Sequence, residues 1–222
     1  MRKIQIIGML AAVGLTMYGC GGQTQQQASA DATDSVVTVV DADQTIYGIC
    51  GDGTAMNTLQ LVTDNGDTLN LSLTAAQEAG RVLGGIQSGD RMAVLTDNDK
   101  RMATLVINET TLLGNWVMPN PIDGSSMVGI SLKDGGVAES IDQSTIIYKT
   151  WKLVNGRLEI MSIRDGGGEE EEVNVYDIIV LGADSLVYKN EEDEFEYERE
   201  KPNTDPAANI ELEEYSEEDY KI

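Results

Sequence analysis

Short runs in which apolar and polar residues alternate, broken repeatedly by Asn, Asp and Gly, recur through most of this chain and constrain its fold more than any other feature. Successive side chains of a strand point to opposite faces, so this period of two predicts half-buried strands and argues against a helical bundle. In the first half the runs cover residues 36–40, 45–50, 58–63, 68–73, 91–96 and 101–108. In the second half they cover 146–154, 157–163, 173–181 and 185–189. Asp64-Asn65-Gly66-Asp67 and Asn155-Gly156 read as hairpin turns, because Asn and Gly tolerate the positive φ that tight hairpins need. Further turns are predicted at Asp97-Asn98-Asp99-Lys100, Lys133-Asp134-Gly135-Gly136 and Asp165-Gly166-Gly167-Gly168. One short helix interrupts the pattern: Thr74 and Gln77 have the spacing of a capping box, and Gly84-Gly85 is the expected stop.

The expected fold class is therefore mainly all-β, with two small β-barrel-like modules. In residues 35–108, three strands, a helix and two strands follow the order of an OB-like module, provided that the first strand runs through the bend at residues 41–44. Residues 110–189 hold seven or eight short strands whose simplest arrangement is an antiparallel meander closing into a barrel.

The N-terminus carries a different signal. Arg2 and Lys3 precede an apolar stretch, residues 4–15, that is shorter than the ~20 residues needed to span a bilayer. Leu15-Thr16-Met17-Tyr18-Gly19-Cys20 follows and resembles the lipobox of bacterial lipoproteins. That resemblance implies a signal peptide over residues 1–19 and lipid attachment at Cys20, which would make a membrane the first partner of the mature chain. Each buried lipid methylene adds about 0.8 kcal/mol, so several acyl chains hold such a protein durably. Residues 20–34 are polar and Gln-rich, as a flexible tether should be. The expected location is the bacterial cell envelope, lipid-anchored at the outer membrane and facing the periplasm or the cell surface.

Charge and histidine content narrow the chemistry. The net charge is −23 with no histidine, which repels phosphate backbones and makes nucleic acid an unsuitable partner. It also removes the commonest general base and metal ligand. Once Cys20 carries lipid, Cys50 is the remaining thiol, and it lies in a strand-like run where a buried structural role is expected. No catalytic residue, cofactor or metal site is assigned from these residues. Residues 190–222 hold 14 acidic residues against 3 basic ones, and runs such as Glu191-Glu192-Asp193-Glu194 repel themselves, so this segment reads as a solvated, disordered tail.

In the second module, Gly114-Asn115-Trp116 resembles the G-x-W start of a lipocalin barrel. The later segments Met127-Val128-Gly129-Ile130-Ser131-Leu132, Tyr148-Lys149-Thr150-Trp151 and Asn155-Gly156-Arg157-Leu158 are similar to the lipocalin-like domain of Bacteroides-type lipoproteins with two tryptophans. The resemblance implies a small meander barrel in the envelope, with no fixed ligand or reaction. Trp116, Tyr148 and Trp151 then either line a pocket or fill the core. The filled reading is favoured, because a module this small buries only about 60% of its unfolded surface and has little core to spare. The expected function is a non-enzymatic binding or interaction module whose partner is a protein or a small hydrophobic ligand. A carrier with a hydrophobic ligand in the second barrel and a carboxylate-based hydrolase are the two alternatives.

Overall fold

The computed structural model describes residues 42–142, 145–164 and 170–201. Cys20, the tether, the run at 36–40 and the turn at 165–168 lie outside or largely outside these residues, as does everything beyond Lys201. The strands β1 (Ile46–Cys50), β2 (Thr58–Thr63) and β3 (Thr68–Ser72) come first, followed by the helix α1 (Thr74–Glu78) and the two-residue strand β4 (Val82–Leu83). Then come β5 (Arg91–Thr96), β6 (Ala103–Asn108) and a single helical turn, α2 (Glu109–Leu112).

These strands form a mixed sheet of order β3-β2-β1-β5-β6-β4. All neighbours are antiparallel except β4, which runs parallel to β6. One isolated parallel bridge, Ser72 with Met102, brings the β3 end of the sheet round to the start of β6. The strand order and the helix after β3 are those expected of an OB-like module, partly open and widened by β4. At the β2–β3 hairpin, Gly66 takes φ +88 and donates its N–H to Thr63 O at 2.8 Å.

The helix departs from expectation. Its N-cap is Leu73, with no side-chain capping bond, and Gln77 Nε2 donates instead to Met56 O. It ends before Gly80 (φ +65), well short of Gly84-Gly85. Val82 and Leu83 are then free to add to β6, where their backbone and side chains find partners that one more helical turn would not give.

The second module contains β7 (Gly114–Pro119), β8 (Met127–Lys133), β9 (Val137–Ile141), β10 (Ile146–Val154), β11 (Arg157–Arg164), β12 (Glu171–Leu181), β13 (Ser185–Lys189) and β14 (Glu194–Arg199). They close into a barrel in simple sequence order, β14 pairing back onto β7. Asn155 (φ 50) and Gly156 (φ 71) make the β10–β11 turn with both residues left-handed, as the Asn-Gly pair predicts.

β14 corrects the boundary at residue 189, because it lies inside the segment expected to be a disordered tail. Its acids, Glu194, Glu196 and Glu198, are exposed, while Phe195 and Tyr197 point inward and Tyr197 is buried. A strand buries only alternate residues, so its exposed face can carry a dense row of like charge. Charge counting alone missed that second face.

The two modules share a core along one seam. Met92, Val94, Ala103 and Val106 face the interior of the first sheet. On the other face of the same strands, Ala93, Leu105 and Ile107 join Leu83, Leu112 and the barrel residues in a second cluster. The turn glycine Gly156 sits against this face, where an added Cβ would press into Leu105 Cδ2. Gly84 N–H donates to Leu181 O at 2.9 Å across the same seam.

Candidate functional site

Trp116 lies on β7 and belongs to the barrel core. It is fully buried, its Nε1 donates to Leu112 O at 2.8 Å, and the Arg199 guanidinium lies 4.1 Å from its ring centre. Arg199 also donates to Leu113 O at 2.8 Å and Thr111 O at 2.7 Å, so the last strand is tied to the chain entering the first. A cation stacked on an indole face is attracted by the ring quadrupole.

Tyr148 and Trp151 are three apart and would face opposite sides of a regular strand. A bulge between Tyr148 and Thr150 restores both to the interior. Tyr148 stands near Tyr197, and rings of Tyr176, Tyr188, Phe195 and Tyr197 pack with centroids 4.9 to 6.0 Å apart. Burial pushes the Tyr176 phenol up to about 12 and those of Tyr148, Tyr188 and Tyr197 above their ordinary value, so all remain neutral O–H groups at physiological pH. Tyr188 and Tyr197 hydroxyls meet at 3.4 Å.

Trp151 has a second surrounding. It belongs to the barrel core and donates Nε1 to Lys133 O at 2.9 Å, yet it also lines a cleft of about 700 Å³ where the barrel meets the first sheet. From the first module come Tyr47, Arg91, Glu109 and Thr110; from the barrel come Asp134 and Lys152, with Leu113 and Leu153 as apolar lining. Tyr47 donates its hydroxyl to Leu153 O, which bridges the modules directly. Its phenol is pushed up to about 12, first by burial and then by the Asp43 charge.

Arg91 organises the polar wall. Its two terminal nitrogens donate to both carboxylate oxygens of Asp64, at 3.0 and 2.8 Å. Its Nε lies 2.9 Å from Glu109 Oε2 as an ion pair, out of line for a true hydrogen bond. Burial holds the Glu109 carboxyl above its ordinary range despite Arg91. Asp64, more exposed, is held below its ordinary range by the Arg91 bonds.

Of the residues singled out from sequence, Trp116 and Tyr148 are therefore placed within the barrel, and Trp151 at its boundary with the cleft. Tyr47, Arg91, Glu109 and Asp134 were not singled out. Their only sequence signals were one aromatic in a strand, charges at element ends and a turn motif. Among the described residues no group of three His, Cys, Asp or Glu is placed to hold a metal ion, and no helix is long and apolar enough to cross a membrane.

A closed eight-stranded antiparallel meander with a buried tryptophan on its first strand defines the lipocalin class of barrel. The lipocalin-like family model matches residues 108–200. A lipocalin-like protein from Bacteroides thetaiotaomicron, known from a crystal structure, is 36% identical over a match covering 40% of this chain and 97% of that one, with a TM-score of 0.37. No curated protein matches. Through residues 108–200 the chain belongs to the lipocalin-like family.

Proposed function

We propose that this is a lipid-anchored protein of the bacterial envelope, held through Cys20, in which the barrel and the OB-like sheet together form a non-enzymatic module that binds a small molecule in the cleft between them. The supporting observation is the contrast between the two candidate places for a ligand. Inside the barrel, Trp116 is fully buried and the rings of Tyr176, Tyr188, Phe195 and Tyr197 pack against one another. At the seam, about 700 Å³ is lined by groups from both modules, within the usual size range of small-molecule sites.

The cleft reading is tested with the intact protein in a mild nonionic detergent. A mixed panel of small amines, acids, sugars and apolar probes is screened by saturation-transfer NMR. Binders should be lost in Thr110→Tyr, which places a ring in the cleft. Binders that persist in that variant, or a fatty acid bound stoichiometrically, would move the site into the barrel and favour the carrier. The anchor is tested separately: Cys20→Ser should abolish labelling by a radioactive fatty acid, and labelling that survives would overturn it.

A further inference from the structure

The cleft's charges cancel while its donors and its acceptors both keep capacity, and from this we infer that it takes a neutral, hydroxyl-rich ligand of the carbohydrate class. This rests on the cleft being the binding site. Arg91 and Lys152 line it together with Glu109 and Asp134, so the lining carries no net charge. The cations also have partners already. Arg91 holds Asp64 through both terminal nitrogens and lies 2.9 Å from Glu109, and Lys152 Nζ lies 2.7 Å from Glu159. A charged ligand would have to displace one of these partners or bring in charge that the walls do not balance, and desolvating a poorly matched ion is costly.

The paired groups are not saturated. Among the described residues the second hydrogen on each Arg91 terminal nitrogen and the remaining ammonium hydrogens of Lys152 are unused. Asp134 accepts the Gly135 N–H at 2.9 Å and keeps other lone pairs, as Glu109 does beyond its Arg91 contact. The Tyr47 oxygen, having given its proton to Leu153 O, can still accept. A ligand group that serves both kinds of site must donate and accept, which a hydroxyl does. An ammonium offers donors alone and a carboxylate acceptors alone, so either leaves part of this polar wall unserved.

A wholly apolar ligand would cover the polar wall without pairing it, at the cost of desolvating each group. The remaining lining, Tyr47, Leu113, Trp151 and Leu153, is aromatic and aliphatic. A pyranose ring suits both surfaces, because its C–H faces are apolar and its hydroxyls project from the rim.

The test uses the intact protein in a polyoxyethylene detergent, which carries no sugar head group. Glucose, galactose and mannose are screened by saturation-transfer NMR beside the matching amino sugars, the matching uronic acids and cyclohexanol. At least one neutral sugar should bind, with an affinity that changes less than about twofold when salt is raised tenfold. Its amino and uronic counterparts and cyclohexanol should each bind at least about fivefold more weakly. Asp134→Ala and Lys152→Met, both at exposed positions, should each weaken that sugar at least about threefold with the melting temperature held. Failure of all three neutral sugars to bind, tighter binding of a charged counterpart or of cyclohexanol, or indifference to both variants would each overturn the inference. A charged sugar that binds tighter and is lost in Thr110→Tyr would leave the cleft as the site and remove only its preference for neutral ligands. A neutral sugar that binds Thr110→Tyr unchanged would remove the cleft itself.

Discussion

The barrel interior and the seam cleft are built from similar aromatic residues but end in opposite states. Inside the barrel, tyrosine rings contact each other and hydroxyls meet hydroxyls. In the cleft, Tyr47 and Trp151 are each fixed by one hydrogen bond, Glu109 is paired with Arg91, and the walls enclose open space. An eight-stranded barrel can either be filled by its own side chains or hold one small ligand, and the packed tyrosine rings here mark the first use.

The sharpest way to break this contrast is to open the barrel. Ending the chain after Lys189 removes β14, and with it Phe195, Tyr197 and the Arg199 clamp on Trp116. We expect loss of cooperative thermal unfolding in the barrel, while a chain ending at Lys201 keeps it. An unchanged melting curve for the shorter chain would mean that β14 contributes nothing to closure.

Trp116→Ala comes next. Truncating a fully buried tryptophan costs ~3–5 kcal/mol, a large share of a typical domain's 5–15 kcal/mol. The Leu112 carbonyl also loses its indole donor, and the Arg199 guanidinium the ring beneath it. Denaturant titration measures the change. A loss below about 1 kcal/mol would show that the barrel is not filled as described.

Much of this architecture was legible in the sequence. The hairpins at Gly66 and Asn155-Gly156 followed from turn chemistry, and the strands from alternation. β14 was hidden because its exposed face is almost wholly acidic, so charge masked the Phe195–Tyr197 period. The helix was misjudged because Val82 and Leu83 gain more by pairing with β6 than by extending a helix. The cleft was the least legible part. Arg91, Glu109, Asp134 and Trp151 meet only once β5, α2 and the barrel are docked, and no local pattern encodes that meeting.

Gly156→Ala sharpens the comparison from the seam side. A left-handed alanine costs about 1–2 kcal/mol, and the Cβ would drive into Leu105 and Leu95, for which overpacking adds ~1–3 kcal/mol. The strain falls at the contact between the modules, so exchange of the Gly84 amide, bonded to Leu181 O, should speed up more than exchange of barrel amides in β13. Uniform acceleration would mean that the two modules unfold as one.

The smallest effect concerns Glu109 and depends on pH. Burial raises its carboxyl above its ordinary value of 4.5, and the attraction of Arg91 does not offset this. The folded protein therefore favours the protonated form more than the unfolded chain does. Below pH 4.5 the group is neutral in both states and the folded protein keeps the full benefit. As pH rises through the folded value, the carboxylate forms at a cost and that stability is lost. Glu109→Gln cannot ionise, so relative to the natural protein it should match at pH 4 and be slightly more stable at pH 7, whereas a structural salt bridge would show the reverse. Paired melting curves at the two pH values decide between them. If Glu109→Gln is the less stable at pH 7, Arg91 holds Glu109 as a net stabilising pair.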